Sequence, residues 1–255
     1  MRAASRMADV SINTVTKLLV DVGYACAQYQ DKTLRNLACK RIQCDEIWSF
    51  CYTKARNAPA DMKGKGLAGD IWTWTALDAD SKLIVSWLVG DRDVRAATRF
   101  MNDVAKRLAN RVQLTTDGHK GYLVAMNSAF NERIDYAMLT KLYGNPAGFE
   151  NERRYSSGEC CGAIKGAVYG NPDEKHISTS FVERQNLTMR MSMRRFTRLT
   201  NGFSKKVQNH AHAVALHFMY YNFGRIHKTL RVTPAMQAGV ADHVWSLEEI
   251  AQLAG

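Results

Sequence analysis

The chain has no apolar run near the roughly 18 residues a membrane span needs. Its start, Met1-Arg2-Ala3-Ala4-Ser5-Arg6, lacks the apolar stretch of a secretory signal. The expectation is a cytoplasmic, nucleoid-associated protein with no membrane partner. Cys-x-x-Cys pairs are also missing: the six cysteines stand at 26, 39, 44, 51, 160 and 161 and match no zinc spacing. Adjacent Cys160 and Cys161 are ill-placed to bridge one another, so reduced thiols, mostly small buried hydrophobes, are expected. There are no internal repeats. Acidic residues are scarce, with 24 Asp and Glu against 35 Lys and Arg, a net charge of +11. That excess points to a polyanionic partner, most commonly nucleic acid. A hydrophobic content of 46% excludes disorder, and 255 residues give room for one sizeable domain and a small one.

Given how few acids there are, the placement of three matters. Asp45 lies inside a strand-like run, Arg41-Ile42-Gln43-Cys44-Asp45-Glu46-Ile47-Trp48. Asp117 ends another, Leu114-Thr115-Thr116-Asp117-Gly118, and Glu183 sits in a helical pattern, Phe181-Val182-Glu183-Arg184-Gln185-Asn186. Strand ends are where open α/β sheets place ligands. Uncompensated neighbouring carboxylates repel, and divalent cations remove that penalty. Hard oxygen ligands suit Mg²⁺ or Mn²⁺ rather than zinc, and two ions are expected. Such a pair, about 3.5–4 Å apart, stabilises both the attacking and the leaving oxygen of a phosphodiester displacement. Glu46 is expected to point away from Asp45, because strand side chains alternate.

The surroundings are basic. Arg190 is two helical turns after Glu183 and on its face, Arg194 and Arg198 continue that face, and Arg184 and Arg195 flank it. These arginines are candidate phosphate clamps. Lys205 and Lys206 add non-specific backbone contacts. His119 and Lys120 would touch DNA or hydrogen-bond near the metals. His210, His212 and His217 complete no ligand set and read as structural or surface residues.

The N-terminal residues read as two short helices over 2–22, broken at Asp9-Val10-Ser11, with Ser11 as N-cap. Asp9 occupies a turn position that tolerates a left-handed backbone. This is a helix-turn-helix pattern whose second helix would offer Asn13, Thr14, Thr16 and Lys17 to a major groove. Two helices alone bury too little to be stable, so a third is either missing or follows at 24–38; a plain amphipathic pair is the alternative.

Beyond residue 41, strands are expected at 42–52, 71–78, 83–89, 112–116 and 133–139. Helices are expected at 94–109, 120–131, 177–199 and 204–222, with a short one near Leu247. Glycines and prolines make 142–176 an irregular insertion. The order is similar to the ribonuclease H fold: α/β, a mixed five-stranded sheet flanked by helices, with a small all-α N-terminal segment. The expected organisation is a helix-turn-helix segment and linker over 1–40, a catalytic domain over 41–230 and a tail over 231–255.

Cys44-Asp45-Glu46-Ile47-Trp48, Thr116-Asp117-Gly118-His119-Lys120-Gly121-Tyr122 and Ser180-Phe181-Val182-Glu183-Arg184-Gln185-Asn186 together resemble bacterial insertion-sequence transposases of the DDE class, the insertion-sequence-one family. So do residues 10–19 and the region from Tyr220 to Met236. The resemblance implies a ribonuclease H-like domain in which Asp45, Asp117 and Glu183 bind the metals and catalyse. It implies recognition of terminal inverted repeats by the N-terminal region, and joining of the element's 3′-hydroxyl to target DNA in a homo-oligomeric synaptic complex. Arg190 matches a basic residue that related transposases carry seven positions after the glutamate. Such proteins commonly have more sequence before the helix-turn-helix, so a shortened N-terminus with impaired end recognition is a further expectation. A silent DNA-binding derivative and a ribonuclease H-fold nuclease are the competing readings.

Overall fold

The computed structural model describes residues 1–62, 66–144, 160–197 and 201–255. At its centre, β1 (Arg41–Cys51) is buried along nearly its whole length. β2 (Gly69–Asp78) and β3 (Ile84–Gly90) follow it as antiparallel neighbours. Their β-branched and aromatic residues suit a pleated surface. The turn between them closes where Asp78 accepts a hydrogen bond from the Ser81 N–H at 2.9 Å and Lys82 adopts φ 64°. β4 (Gln113–Thr116) runs parallel on the other side of β1, and β5 (Asp135–Tyr143) runs parallel to β4.

The sheet has six strands rather than five, in the order β3-β2-β1-β4-β5-β6. The sixth, β6 (Cys160–Tyr169), pairs antiparallel with β5 inside the segment expected to be irregular. Gly162 and Gly166 interrupt its side-chain alternation, and as an edge strand it buries little, so no period-two signal exists to read. Residues 145–159 of that expected insertion lie outside the described residues.

Helices cover both faces. On one, α3 (Val94–Arg107) and α4 (Gly121–Phe130) pack Phe100, Met101, Val104, Tyr122 and Met126 against Ile42, Cys44, Trp74 and Ala76. On the other, α5 (Ser180–Ser192) and α6 (Val207–Met219) pack Val182, Met189, Val214 and Phe218 against Ile47, Leu77 and Ile84. The mixed sheet between helical layers is compatible with a ribonuclease H-like fold. α6 ends in a π-turn at Tyr220–Gly224, where buried Asn222 exchanges hydrogen bonds of 2.9 and 3.0 Å with the backbone of Ile84. Two short helices, α7 (Pro234–Gln237) and α8 (Leu247–Gln252), finish the chain. No helix among the described residues is long and apolar enough to cross a membrane.

The N-terminal expectation needs correcting. α1 (Arg2–Met7) and α2 (Ile12–Thr33) are joined as foreseen, with Asp9 at φ 49° and Ser11 accepting from the Asn13 N–H at 3.2 Å. But α2 does not stop near residue 22, and no separate third helix occupies 24–38. Its second half buries Val22, Cys26 and Gln30 in the core, and Gln30 donates to the Ala215 carbonyl of α6 at 3.1 Å. Gly23 is a point of close approach, not a helix break: a Cβ there would sit 2.5 Å from the His212 carbonyl oxygen. A compact three-helix unit is therefore not formed by these residues.

Cys26, Cys39, Cys44 and Cys51 are buried, whereas Cys160 and Cys161 are exposed on β6; all are free thiols. His210 is fully buried between Ser204 and Ser49, as a structural histidine should be. Burial, aided by the Arg225 charge, lowers the His217 pKa to about 4. An unfolded histidine titrates near 6.5, so this contribution to stability is complete above about pH 6.5 and is lost as pH falls toward 4. His217→Phe retains the ring against Phe218 and removes the titration. The stability of this variant relative to wild type is expected to rise by up to about 1.4 kcal/mol per pH unit between roughly pH 6.5 and 5. Urea midpoints measured across that range check it; parallel curves for the two proteins would refute it.

Candidate functional site

β4 is short, and its last residue, Thr116, pairs with Cys44. Asp45 and Glu46 therefore stand just past the end of the neighbouring strand, beside Asp117 at its tip. Carboxylate oxygens of Asp45, Glu46 and Asp117 all lie within 4.8 Å of one another. Gly118 lets this tip approach β5, since a Cβ there would meet the Thr140 hydroxyl at 2.8 Å. Glu183, in the first turn of α5, enters from the opposite wall. All four acids line one cleft of about 890 Å³.

The order of β1 carries α5 into place. Gln43, two residues before Asp45 and on the same face of the strand, accepts hydrogen bonds from the Phe181 and Val182 N–H groups at 2.9 and 3.2 Å. A buried side chain of β1 thus satisfies two of the free amides at the start of α5. Asn186, one turn beyond Glu183, donates to Asp45 Oδ2 at 2.8 Å. One face of β1 accordingly fixes the helix that brings the fourth acid.

Glu46 does face the other side, toward α4, where it accepts from the Tyr122 hydroxyl and from Arg92 Nε at 2.9 Å. Even so, it belongs to the acidic cluster, contrary to the expectation from alternation. Asp117, just past the end of β4, is within reach of carboxylates from both faces of β1. Arg92 also donates to Asp117 Oδ2 at 3.2 Å and lies over the Trp72 ring, 4.8 Å from its centroid. Burial, then the neighbouring Asp117 charge, pushes Asp45 up to about 7 and Glu46 up to about 8. The cluster thus resists full ionisation in the absence of a cation. His119 has its pKa lowered, by burial first and Arg92 second, and packs against Trp74 and Tyr122. Its Nε2 is buried without a hydrogen-bond partner.

These residues fit a divalent cation. The donors are carboxylate oxygens, as hard cations require. Asn186, 5% exposed, leaves its Oδ1 buried and without a hydrogen-bond partner. An orphaned acceptor of this kind costs about 1–3 kcal/mol unless something electropositive meets it.

His119, Lys120 and Arg190 line the same cleft. Arg184 is exposed on α5 outside it. Arg194 does not continue the helix face, because α5 stops at Ser192 and a 3₁₀ turn takes over at Arg194–Phe196. Arg195 turns inward to donate to the Ser204 hydroxyl at 3.0 Å, a structural tie. Arg198 lies outside the described residues. Lys205 and Lys206 are exposed ahead of α6. Asn13, Thr14 and Lys17 are exposed on the first turns of α2, away from the cleft lining; Thr16 bonds back to the Ile12 carbonyl, and Lys17 pairs with Asp21. Sequence reasoning missed Gln43, Arg92, Tyr122, Lys141 and Asn186. Of these, only Asn186 had a legible signal, its one-turn spacing from Glu183.

The fold and cleft define a class, an α/β protein compatible with the ribonuclease H-like architecture and carrying an acidic cluster able to hold a cation. No family model and no curated protein matches the sequence. Among solved structures, the chain is similar to the piggyBac transposase of a synaptic complex with hairpin DNA, with a TM-score of 0.31 and 12% identity. The match covers 85% of this chain and 52% of that one, so the chain spans about half of its length.

Proposed function

We propose that this chain is a DNA transposase of the DDE class, cutting element ends and joining the 3′-hydroxyl to target DNA. The observation that carries this reading is the cleft in which Asp45, Asp117 and Glu183 meet Glu46 and an orphaned Asn186 oxygen in a protein of net charge +11. Asp45, Asp117 and Glu183 would hold Mg²⁺ or Mn²⁺, two ions being expected. Bound there, the ions would activate water or the 3′-hydroxyl and stabilise the departing oxygen. The protein's own part is to orient and to screen. Gln43 and Asn186 hold α5 and Asp45 in register, while Arg92 and Tyr122 hold Glu46. Lys120 and Arg190 on the cleft wall supply positive charge to a phosphodiester backbone, with Arg184, Arg194, Lys205 and Lys206 as outer contacts. The outer part of residues 1–40, with exposed Asn13, Thr14 and Lys17 and half-exposed Thr16, is assigned to DNA ends, and 41–230 to catalysis. Handling two ends calls for at least two copies of the chain.

A nuclease of the same fold would use the same carboxylates without joining. The two are separated by incubating the protein with Mg²⁺ or Mn²⁺, a plasmid target and a duplex carrying the inverted repeat from flanking DNA. Joined product is expected from wild type, with at least a hundredfold less from Asp117→Asn. Cleavage without joining favours the nuclease, and repeat-specific binding indifferent to Asp117→Asn favours a silent binding protein.

A further inference from the structure

The four acids of the cleft are not equivalent. Both oxygens of Glu183 are engaged: Oε2 accepts from Lys141 Nζ at 2.5 Å and Oε1 from the Thr179 hydroxyl at 2.6 Å. Glu183 also falls outside the group of acidic oxygens lying within 4.8 Å of one another, which among the described residues is Asp45, Glu46 and Asp117. Lys141 comes from β5, across the cleft from α5, and lines the cleft together with Lys120. Its side chain is 31% exposed and that of Glu183 35%, so the pair is reached by solvent and is readily exchanged.

Each member has a better partner in the reaction proposed above. A phosphodiester is the natural partner of an ammonium, a compact point charge on a flexible stem. A divalent cation is the natural partner of the released carboxylate. We propose that Lys141 is a phosphate-binding residue that pairs with Glu183 only until DNA enters, so that the DNA backbone frees Glu183 to complete the metal site. The inference rests on the metal-dependent reading of the cleft and adds an order of events to it. Arg92 already pairs with Glu46 and Asp117, while Asp45 is bonded to the neutral Asn186 amide. Without DNA the Asp45–Glu46–Asp117 cluster takes one ion, beside Asp45, and the site beside Glu183 stays blocked by Lys141. With DNA the ammonium moves to phosphate, and a second ion is admitted. By linkage the two affinities reinforce each other: DNA tightens metal, and metal tightens DNA. A chain so built does not hold a fully loaded cutting site until substrate is present.

The test is a Mn²⁺ titration of the full chain followed by electron paramagnetic resonance, with and without an uncleavable phosphorothioate duplex. Wild type is expected to bind one ion tightly alone and a second, at least tenfold tighter than before, once the duplex is added. Lys141→Met, which keeps the stem and removes the charge, is expected to bind the second ion without DNA at least fivefold more tightly than wild type. The same variant should bind the duplex at least fivefold more weakly in metal-free buffer. The wild-type comparison needs no variant, so the inference stays open to refutation if Lys141→Met folds poorly. Two equal sites in wild type without DNA overturn it, as does a Lys141→Met chain with unchanged or weaker Mn²⁺ binding. Those outcomes leave the metal site standing. A wild-type chain that binds no Mn²⁺ under either condition overturns the metal site and this inference together.

Discussion

Asp45→Asn should abolish metal-dependent DNA cleavage and, in the same preparation, raise the melting temperature of the metal-free protein. The first effect follows if Asp45 holds a cation whose charge the reaction needs; a loss of a thousandfold or more is expected, about 4 kcal/mol of barrier. The second follows from what the carboxylate costs when no cation is present. Burial, then the charge of Asp117, holds Asp45 at about 7, above its value of about 3.9 in an unfolded chain. With the folded value raised, the unfolded state ionises first as pH rises. Stability is greatest below about pH 4, declines through the window from 4 to 7, and stays low above it. The asparagine has no charge to desolvate, so its advantage is nil at pH 4 and full above pH 7. Because Asp45 is only partly enclosed, about 1–2 kcal/mol is a reasonable gain, or roughly 2–8 °C. Saturating Mg²⁺ should reverse the order, stabilising wild type and leaving the variant unmoved. Thermal scans at pH 5 and 8, with and without Mg²⁺, read all of this. Retained cleavage would remove Asp45 from the chemistry, and a lower melting temperature at pH 8 would mean the carboxylate is not under electrostatic strain.

Gly23→Val should be the most damaging single change far from the cleft. A Cβ at this position would lie 2.5 Å from the His212 carbonyl oxygen and 2.7 Å from the His212 Cβ. The obstacle is helix backbone, which cannot swing aside as the end of a side chain can. Relief requires α2 and α6 to separate, and that opens the packing of Val22 and Cys26 and strains the Gln30 to Ala215 hydrogen bond. Overpacking of this kind costs about 1–3 kcal/mol, and the added β-branch places valine at or above the top of that range. A fall of roughly 6–10 °C in melting temperature is expected for a chain of this length. Gly23→Ala should fall between wild type and valine. A valine variant as stable as wild type would show that α2 docks only loosely on α6.

These two predictions draw on different kinds of information. That Asp45 belongs to a strand, Asp117 to the residue just past a strand end, and Glu183 to a helix was legible in local pattern, because period and turn residues are properties of short segments. So were the Asp9 turn, the Ser11 cap and the β2–β3 hairpin. The extent of α2 past Gly23 and the strand β6 were not legible for one shared reason: a glycine looks the same in sequence whether it ends a helix, spaces two helices or interrupts an edge strand. Only the neighbour, His212 in one case and β5 in the other, distinguishes them.

By itself, the sequence determined that this is a basic, well-cored α/β chain with three acids on the right elements to meet. Local propensity and charge count are carried by the residues themselves, so no fold is needed to read them. Tertiary structure decided which side chains stand beside those acids. It brought Glu46 into the cluster because Asp117, just past the end of β4, lies within reach of both faces of β1. It set Gln43 under the start of α5, left the Asn186 oxygen without a partner, and paired Lys141 with Glu183 across the cleft. Such contacts join residues up to 141 positions apart, as Asn186 and Asp45 are. They depend on sheet order and strand length, which no local pattern records.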